Sequence, residues 1–478
     1  MCAGMVCIAL LGAGLSGCTA SGGMQFKASG SPIVINLWHY YNGFQQKSFD
    51  LLVQEFNSTV GAQKGILVEA NNYGTVGELN KKVLDAVYER VGAEEIPDGF
   101  AAYADTAYEI NSLGKVADFA PYLTEEERGA YIAGYLEEGH FTEGEGFKIF
   151  PIAKATEVLT INKTEWNLFS AATGADRADL ATWEGIASLA ERYYHWTDAQ
   201  TPGVAQDGRA FFGRDAFANY IIIGSEQQGT ELFDVSDEQV RIQVDEDIMR
   251  RLWDNYYVPY INGYFSAFGK FRSDDVRTGD LVACVGSTSA ATFFPTEVTR
   301  ADGSTYPIEV GVYPLPNFEG TQPVAVQQGA GMVVTKSTYE RERAVVEFLK
   351  WFTQIEQNTR FATASGYLPV TYAANETTAP LGAGDSNMPS VVRDTLAVGM
   401  EMTRTFKLYT NKPFEKGSAA REEVSRSMWD QAKQDRKAVL ALMEAGESRA
   451  DAVARYNTDE NFRAWLAEFS AALSAAAQ

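Results

Sequence analysis

Three histidines, His39, His140 and His195, are scattered over 478 residues and form no local acid–base or metal motif. No H-E-x-x-H or C-x-x-C spacing occurs. No G-x-S-x-G sets a serine on a strand-to-helix turn. Gly263 to Lys270 has the look of a phosphate loop, but five residues separate its glycines where four are required. Phe271 also stands where a Ser or Thr would reach magnesium. The loop Trp38-His39-Tyr40-Tyr41-Asn42-Gly43 is not a glycine-rich dinucleotide cradle. Among 63 acidic residues a carboxylate pair at any spacing carries little information, so a glycosidase pair stays open as an alternative. The residue types otherwise point to no catalytic residue, no cofactor and no metal. His39 beside Trp38 reads equally as a ligand contact or as a hydrogen-bonded structural histidine.

The cysteines carry a different chemistry. Leu15-Ser16-Gly17-Cys18 follows an apolar run of about eleven residues, too short for a spanning helix of about 20. The arrangement resembles the lipobox of bacterial lipoproteins. The resemblance implies a signal peptide over 1–17, acylation of Cys18, and an extracytoplasmic, membrane-anchored product. Residues 18–30, rich in Gly, Ser and Ala, read as a flexible tether of about 20 Å. Cys2 and Cys7 leave with the signal, so Cys284 stays single and no intrachain disulfide forms. Its run Leu281-Val282-Ala283-Cys284-Val285 reads as a buried strand with the thiol in the core.

The elements that follow must position whatever the chain binds. About 460 residues remain after the signal, which asks for two or more domains. Ile33 to Trp38, Ile66 to Ala70 and Gly99 to Tyr103 read as strands. Between and after them, Phe49, Leu52, Val53 and Phe56, then Leu79, Val83 and Val87, then Thr106 to Leu113 read as helices. This alternation predicts a parallel sheet with covered faces. Ligands of such sheets lie beyond the carboxyl ends of the strands. Three loops are thereby singled out: Trp38-His39-Tyr40, Asn71-Asn72-Tyr73 and Tyr103-Ala104-Asp105. The segment Gly286-Ser287-Thr288-Ser289 after another strand either caps a helix or offers groups to a ligand. Ser337 to Glu340 fits a capping box before the stripe Ala344, Val345, Phe348, Leu349 and Phe352. Ser390 to Met402, Glu422 to Leu442 and Asn461 to Leu473 also read as helical.

A net charge of −23 argues against nucleic acid and against electrostatic attachment to anionic lipid. Aromatic residues make up 12% of the chain. Aromatic faces suit the C–H face of a sugar ring, with Asp, Asn, Gln and Arg for its hydroxyls. The candidate loops hold no Lys or Arg, which favours a neutral solute.

Gln327 to Lys336, the helix Ala344 to Phe352, and Ser365-Gly366-Tyr367-Leu368-Pro369-Val370 together resemble the family 1 extracellular solute-binding proteins of ABC importers. Phe150 to Lys163 and Val310 to Pro316 resemble that family's two crossings between lobes. The resemblance implies two α/β lobes of a type II periplasmic-binding-protein fold, each a mainly parallel sheet flanked by helices. Lobe one would be 31–152 plus 314–366, and lobe two 153–313 plus 367–478. It implies ligand contacts at Trp38, His39, Tyr40, Tyr73, Asp105, Trp183, Ser287, Gly331 and Tyr367. Gly329-Ala330-Gly331 departs from the family's Gly-Gly, and the register over Phe414 to Arg421 is not fixed. The implied function is capture of a carbohydrate by hinge closure and its delivery, by a monomer, to permease subunits in the membrane. The alternatives are a surface glycosidase, a binding module serving a sensor or adhesin, and a glycerophosphate-type or other small polar ligand.

Overall fold

The computed structural model describes residues 31–141, 146–204, 206–236, 239–377 and 388–478. Cys18, the signal and the tether lie outside the described residues.

Two four-stranded sheets organise the chain. In the first, Ile33–His39 sits centrally, parallel to Ile66–Asn72 on one side and to Gly99–Ala102 on the other. Gly331–Val334 closes the far edge antiparallel. The register pairs Trp38 with Asn71 and His39 with Asn72, so the three predicted loops leave the same edge. Helix Gly43–Phe56 buries Phe49, Leu52, Val53 and Phe56, the stripe read from the sequence. Helix Val76–Val87 starts at a capping box between Thr75 and Glu78 and buries Leu79, Val83 and Val87. Helix Tyr339–Phe352 covers the same core with Val345, Phe348 and Leu349. Its cap is Thr338, which accepts the Arg341 N–H, one residue later than the box predicted at Ser337. Ser337 instead donates its N–H to Glu342 at 2.6 Å.

The second sheet is mixed, a departure from the mainly parallel expectation. Only Phe212–Arg214 and Ala283–Ser287 run parallel. Glu157–Asn162 lies antiparallel to both Ala283–Ser287 and Val310–Pro314. Glu157–Asn162 alone runs against its neighbours, because it carries the chain in from lobe one; Val310–Pro314 has the direction of the two parallel strands. Helices Trp183–Asp198, Phe217–Gln227, Glu246–Asn262 and the 28-residue Gly417–Glu444 enclose this sheet in one apolar core.

Each sheet has its own core, and the molecule is two-lobed. One boundary moves. Leu315, Phe318 and Val324 to Val326 were expected in lobe one, yet they pack in the core of lobe two. Val324–Val326 also pairs in parallel with Lys407–Tyr409. Apolar contacts keep this stretch in lobe two, and the chain returns to lobe one from Gln327 onward. Beyond the nominal end of lobe one, Tyr367 and Val370 still pack in that lobe's core. Gly399 is tolerated within helix Ser390–Thr405 because Leu368 and Thr288 press on its bare Cα; a Cβ there would meet Leu368 at 2.9 Å.

Candidate functional site

The carboxyl ends of the parallel strands in both lobes face one another. From lobe one, Tyr40 follows the first strand. Its hydroxyl lies 3.3 Å from that of Tyr367 and accepts the Ala330 N–H at 3.2 Å. Gly329 adopts a left-handed φ of +85°, and a Cβ there would meet the Ala153 carbonyl at 2.9 Å. Only a glycine passes so close to the crossing strand beside the Tyr367 ring. Gln45, in the first turn of its helix, donates to the Ser289 carbonyl of lobe two at 3.1 Å.

From lobe two, the parallel strands Phe212–Arg214 and Ala283–Ser287 end at Asp215 and Ser287. Asp215 accepts the Arg272 N–H at 3.2 Å. Ser287 and Ser289 share a hydrogen bond of 3.0 Å. Between these groups lies a cavity of about 440 Å³. Tyr40, Gln45 and Tyr367 form one wall; Asp215, Ser287 and Phe271 stand on the other. That size and mixed lining are typical of a small-molecule site. Cys284 also touches it, as a core residue whose thiol is pushed well above its usual range by burial.

A polar cluster involves the same Tyr40. Asp105, in the first turn of helix Ala104–Ser112, accepts from Asn411 of lobe two at 3.4 Å. Burial pushes the Asp105 carboxyl up to about 6; Arg421 and the Asn411 hydrogen bond oppose the shift, while Glu138 adds to it. Lys154 has no solvent exposure; it pairs with Glu138 and donates to the Gly329 carbonyl at 2.9 Å. Three residues on, Glu157 pairs with Arg214 at 2.8 Å and accepts from Asn219 at 2.9 Å. Such ions survive burial only because each has a partner and further hydrogen bonds. Against this, Arg421 Nη1, Asn411 Oδ1 and Gln328 Oε1 are buried with no partner among the described residues. Unsatisfied polar atoms grouped at a lobe junction mark where a ligand's own polar groups would be received.

The predicted site residues divide accordingly. Tyr40, Ser287 and Tyr367 line the cavity, and Asp105 stands in the polar cluster. Tyr73 lies behind, its ring 4.5 Å from Trp38 and its hydroxyl donating to Glu94 at 2.7 Å. Four residues pack within their own lobe. Trp38 is buried under Tyr73. His39 is buried 4.8 Å from Phe49, and its Nδ1 accepts the Tyr41 N–H at 3.2 Å. Burial depresses its pKa to about 4, so it is neutral. Trp183 packs on Phe212 and Tyr220 inside lobe two, under the Arg214 guanidinium. Gly331 lies in an edge strand where a Cβ would strike Ile149 at 2.3 Å. In each case core packing turns the residue inward.

Sequence reasoning missed Gln45, Asp215, Phe271, Arg277, Asn411 and Arg421. Asp215 carried a usable signal, since it follows a strand parallel to the one ending at Ser287. Phe271 and Arg277 follow the segment set aside as a failed phosphate loop. Asn411 and Arg421 lie far along the chain in a stretch with no period to fix their register.

Comparison with known proteins follows this geometry. Residues 52–389, well over half of the chain, match the family described as bacterial extracellular solute-binding protein. The sn-glycerol-3-phosphate-binding periplasmic protein of Agrobacterium fabrum is 24% identical over 374 residues, spanning 74% of this chain and 78% of that protein. The fold matches the cyclic alpha-maltosyl-1,6-maltose binding protein of Arthrobacter globiformis with a TM-score of 0.62 at 16% identity, over 92% of this chain and 100% of the other. It also matches a glycerophosphocholine-bound protein of Mycobacterium tuberculosis with a TM-score of 0.62 at 16% identity, over 94% of this chain and 99% of that one.

Proposed function

Because the chain belongs to the bacterial extracellular solute-binding proteins, we propose that it captures a neutral carbohydrate between its lobes and delivers it to an ABC permease. The observation that carries the reading is the interlobe cavity, where Tyr40, Tyr367 and Phe271 offer ring faces and Gln45, Asp215 and Ser287 offer hydrogen bonds. No chemistry is required of these groups. Ligand bridges the two walls, so it binds the closed arrangement better than an open one, and that difference drives closure. Lobe one is taken as 31–152 plus 314–366 and lobe two as 153–313 plus 367–478, with 314–326 reassigned to lobe two. A lipid on Cys18 and the tether over 18–30 would keep a monomer beside its permease.

A second ligand class has its own support. Arg421 presents an unpartnered buried nitrogen near Asp105, which suits a solute with an anionic group. The glycerophosphate-binding relative favours the same reading. Calorimetry against neutral oligosaccharides, sn-glycerol 3-phosphate and glycerophosphocholine separates the two. Binding of the sugars alone supports the first reading; tight binding of the phosphates alone replaces it with the second. Release of a cleaved product from a bound sugar would establish the glycosidase alternative.

A further inference from the structure

We propose that the solute is an elongated oligosaccharide whose outer unit leaves the cavity across an aromatic lip made by Phe271 and Phe293; this rests on the carbohydrate reading. Lobe two fully buries Trp183, Trp253, Tyr256 and Tyr257, while Phe268, exposed by 67%, takes no part in lining the cavity. Phe271 and Phe293 are exposed by 52% and 47%, and both still line the cavity. They mark where the cavity meets solvent. Polar contacts tether the backbone around them: Arg277 donates to the Phe293 carbonyl at 3.2 Å, and the Phe271 N–H reaches Asp274 at 3.4 Å. Lys270 sits 5.3 Å from the Phe271 ring centre, and its charge reaches Glu78 of lobe one. Exposed rings grouped at a pocket mouth point to an occupant.

Size sets the rest. At about 440 Å³ the cavity lies toward the small end of ligand pockets. A longer chain must pass the lip. Ser273 and Asp274 also line this side and supply hydroxyl partners beside the two ring faces. Units stacked there add affinity without entering the cavity.

The test uses the full chain and ladders of one to five units of α- and β-linked glucans, mannans and xylans, measured by calorimetry. Affinity should rise with length and then level off. Phe271→Ala with Phe293→Ala should weaken the longest binder about tenfold or more while leaving the shortest within about twofold. Tyr40→Ala should weaken every length alike. The pair Phe271→Leu and Phe293→Leu keeps apolar bulk, preserves a readout if the alanine pair folds poorly, and should show the same length-selective loss. Equal losses at all lengths, no loss in the leucine pair, or affinity independent of length would overturn the lip with the carbohydrate reading intact. No binding by any ladder would overturn both.

Discussion

Asp105 of lobe one rests on Gly417, the first residue of the 28-residue helix of lobe two: a Cβ on Gly417 would lie 2.4 Å from Asp105 Oδ1. The closed arrangement therefore depends on a missing methyl group. Gly417→Ala suits the helix itself, since alanine is the better helix former by about 1 kcal/mol. Thermal stability should hold or rise slightly. Ligand affinity should fall about tenfold, about 1.4 kcal/mol, because the lobes no longer seat. A melt and a titration on the same sample check both halves; unchanged affinity would remove Gly417 from the interface.

The same carboxylate links closure to protons. An ordinary Asp titrates near 3.9, whereas Asp105 in the closed form is pushed up to about 6 by burial, with Arg421 opposing and Glu138 adding. An acid with a raised pKa binds its proton more tightly in that state. The unliganded closed form is therefore favoured as pH falls from about 6 toward 4, and loses that advantage as pH rises through about 6. Small-angle scattering should show compaction on acidification in the wild type and a flat response in Asp105→Asn. Identical profiles would dismiss the linkage.

His39 acts in the opposite sense on stability. It is neutral and buried with a pKa near 4, while an unfolded histidine titrates near 6.5. The unfolded chain therefore binds more protons between these values, and stability falls as pH drops from about 6.5 to about 4, by up to roughly 3 kcal/mol. Urea unfolding of the wild type and His39→Gln at several pH values reads the difference. The variant should start less stable and lose less on acidification.

Lys154 and Glu138 form a buried ion pair. Lys154→Met alone should cost about 3–5 kcal/mol, because it leaves Glu138 uncompensated close to Asp105. Adding Glu138→Leu should recover most of that loss. Chemical denaturation of the two single variants and the double variant measures the coupling; additive losses would show the pair to be independent.

Much of lobe one was legible because its signals are local. The stripes at Phe49 to Phe56 and Leu79 to Val87 repeat within a few residues, and the strand ends name their loops. The direction of each loop side chain was not legible. Trp38 and His39 turn inward because Tyr73 and Phe49 receive them, contacts supplied by other segments. Trp183 turns inward for a similar reason, into a pocket built by Phe212, Tyr220 and Phe318. Asp105 was found by topology, while its partners Asn411 and Arg421 sit some three hundred residues away.

Lys154 and Glu157 stand three residues apart, and each is fastened to a different lobe, Lys154 to Glu138 and Glu157 to Arg214. Only Ala155 and Thr156 lie between the fastenings. Ala155 exchanges backbone hydrogen bonds of 2.9 and 2.8 Å with Gln328 on the return crossing. The two crossings are thus pinned side by side, like the knuckles of a door hinge. Such a joint swings without sliding, so a pull on either half arrives at the other as rotation about one fixed line.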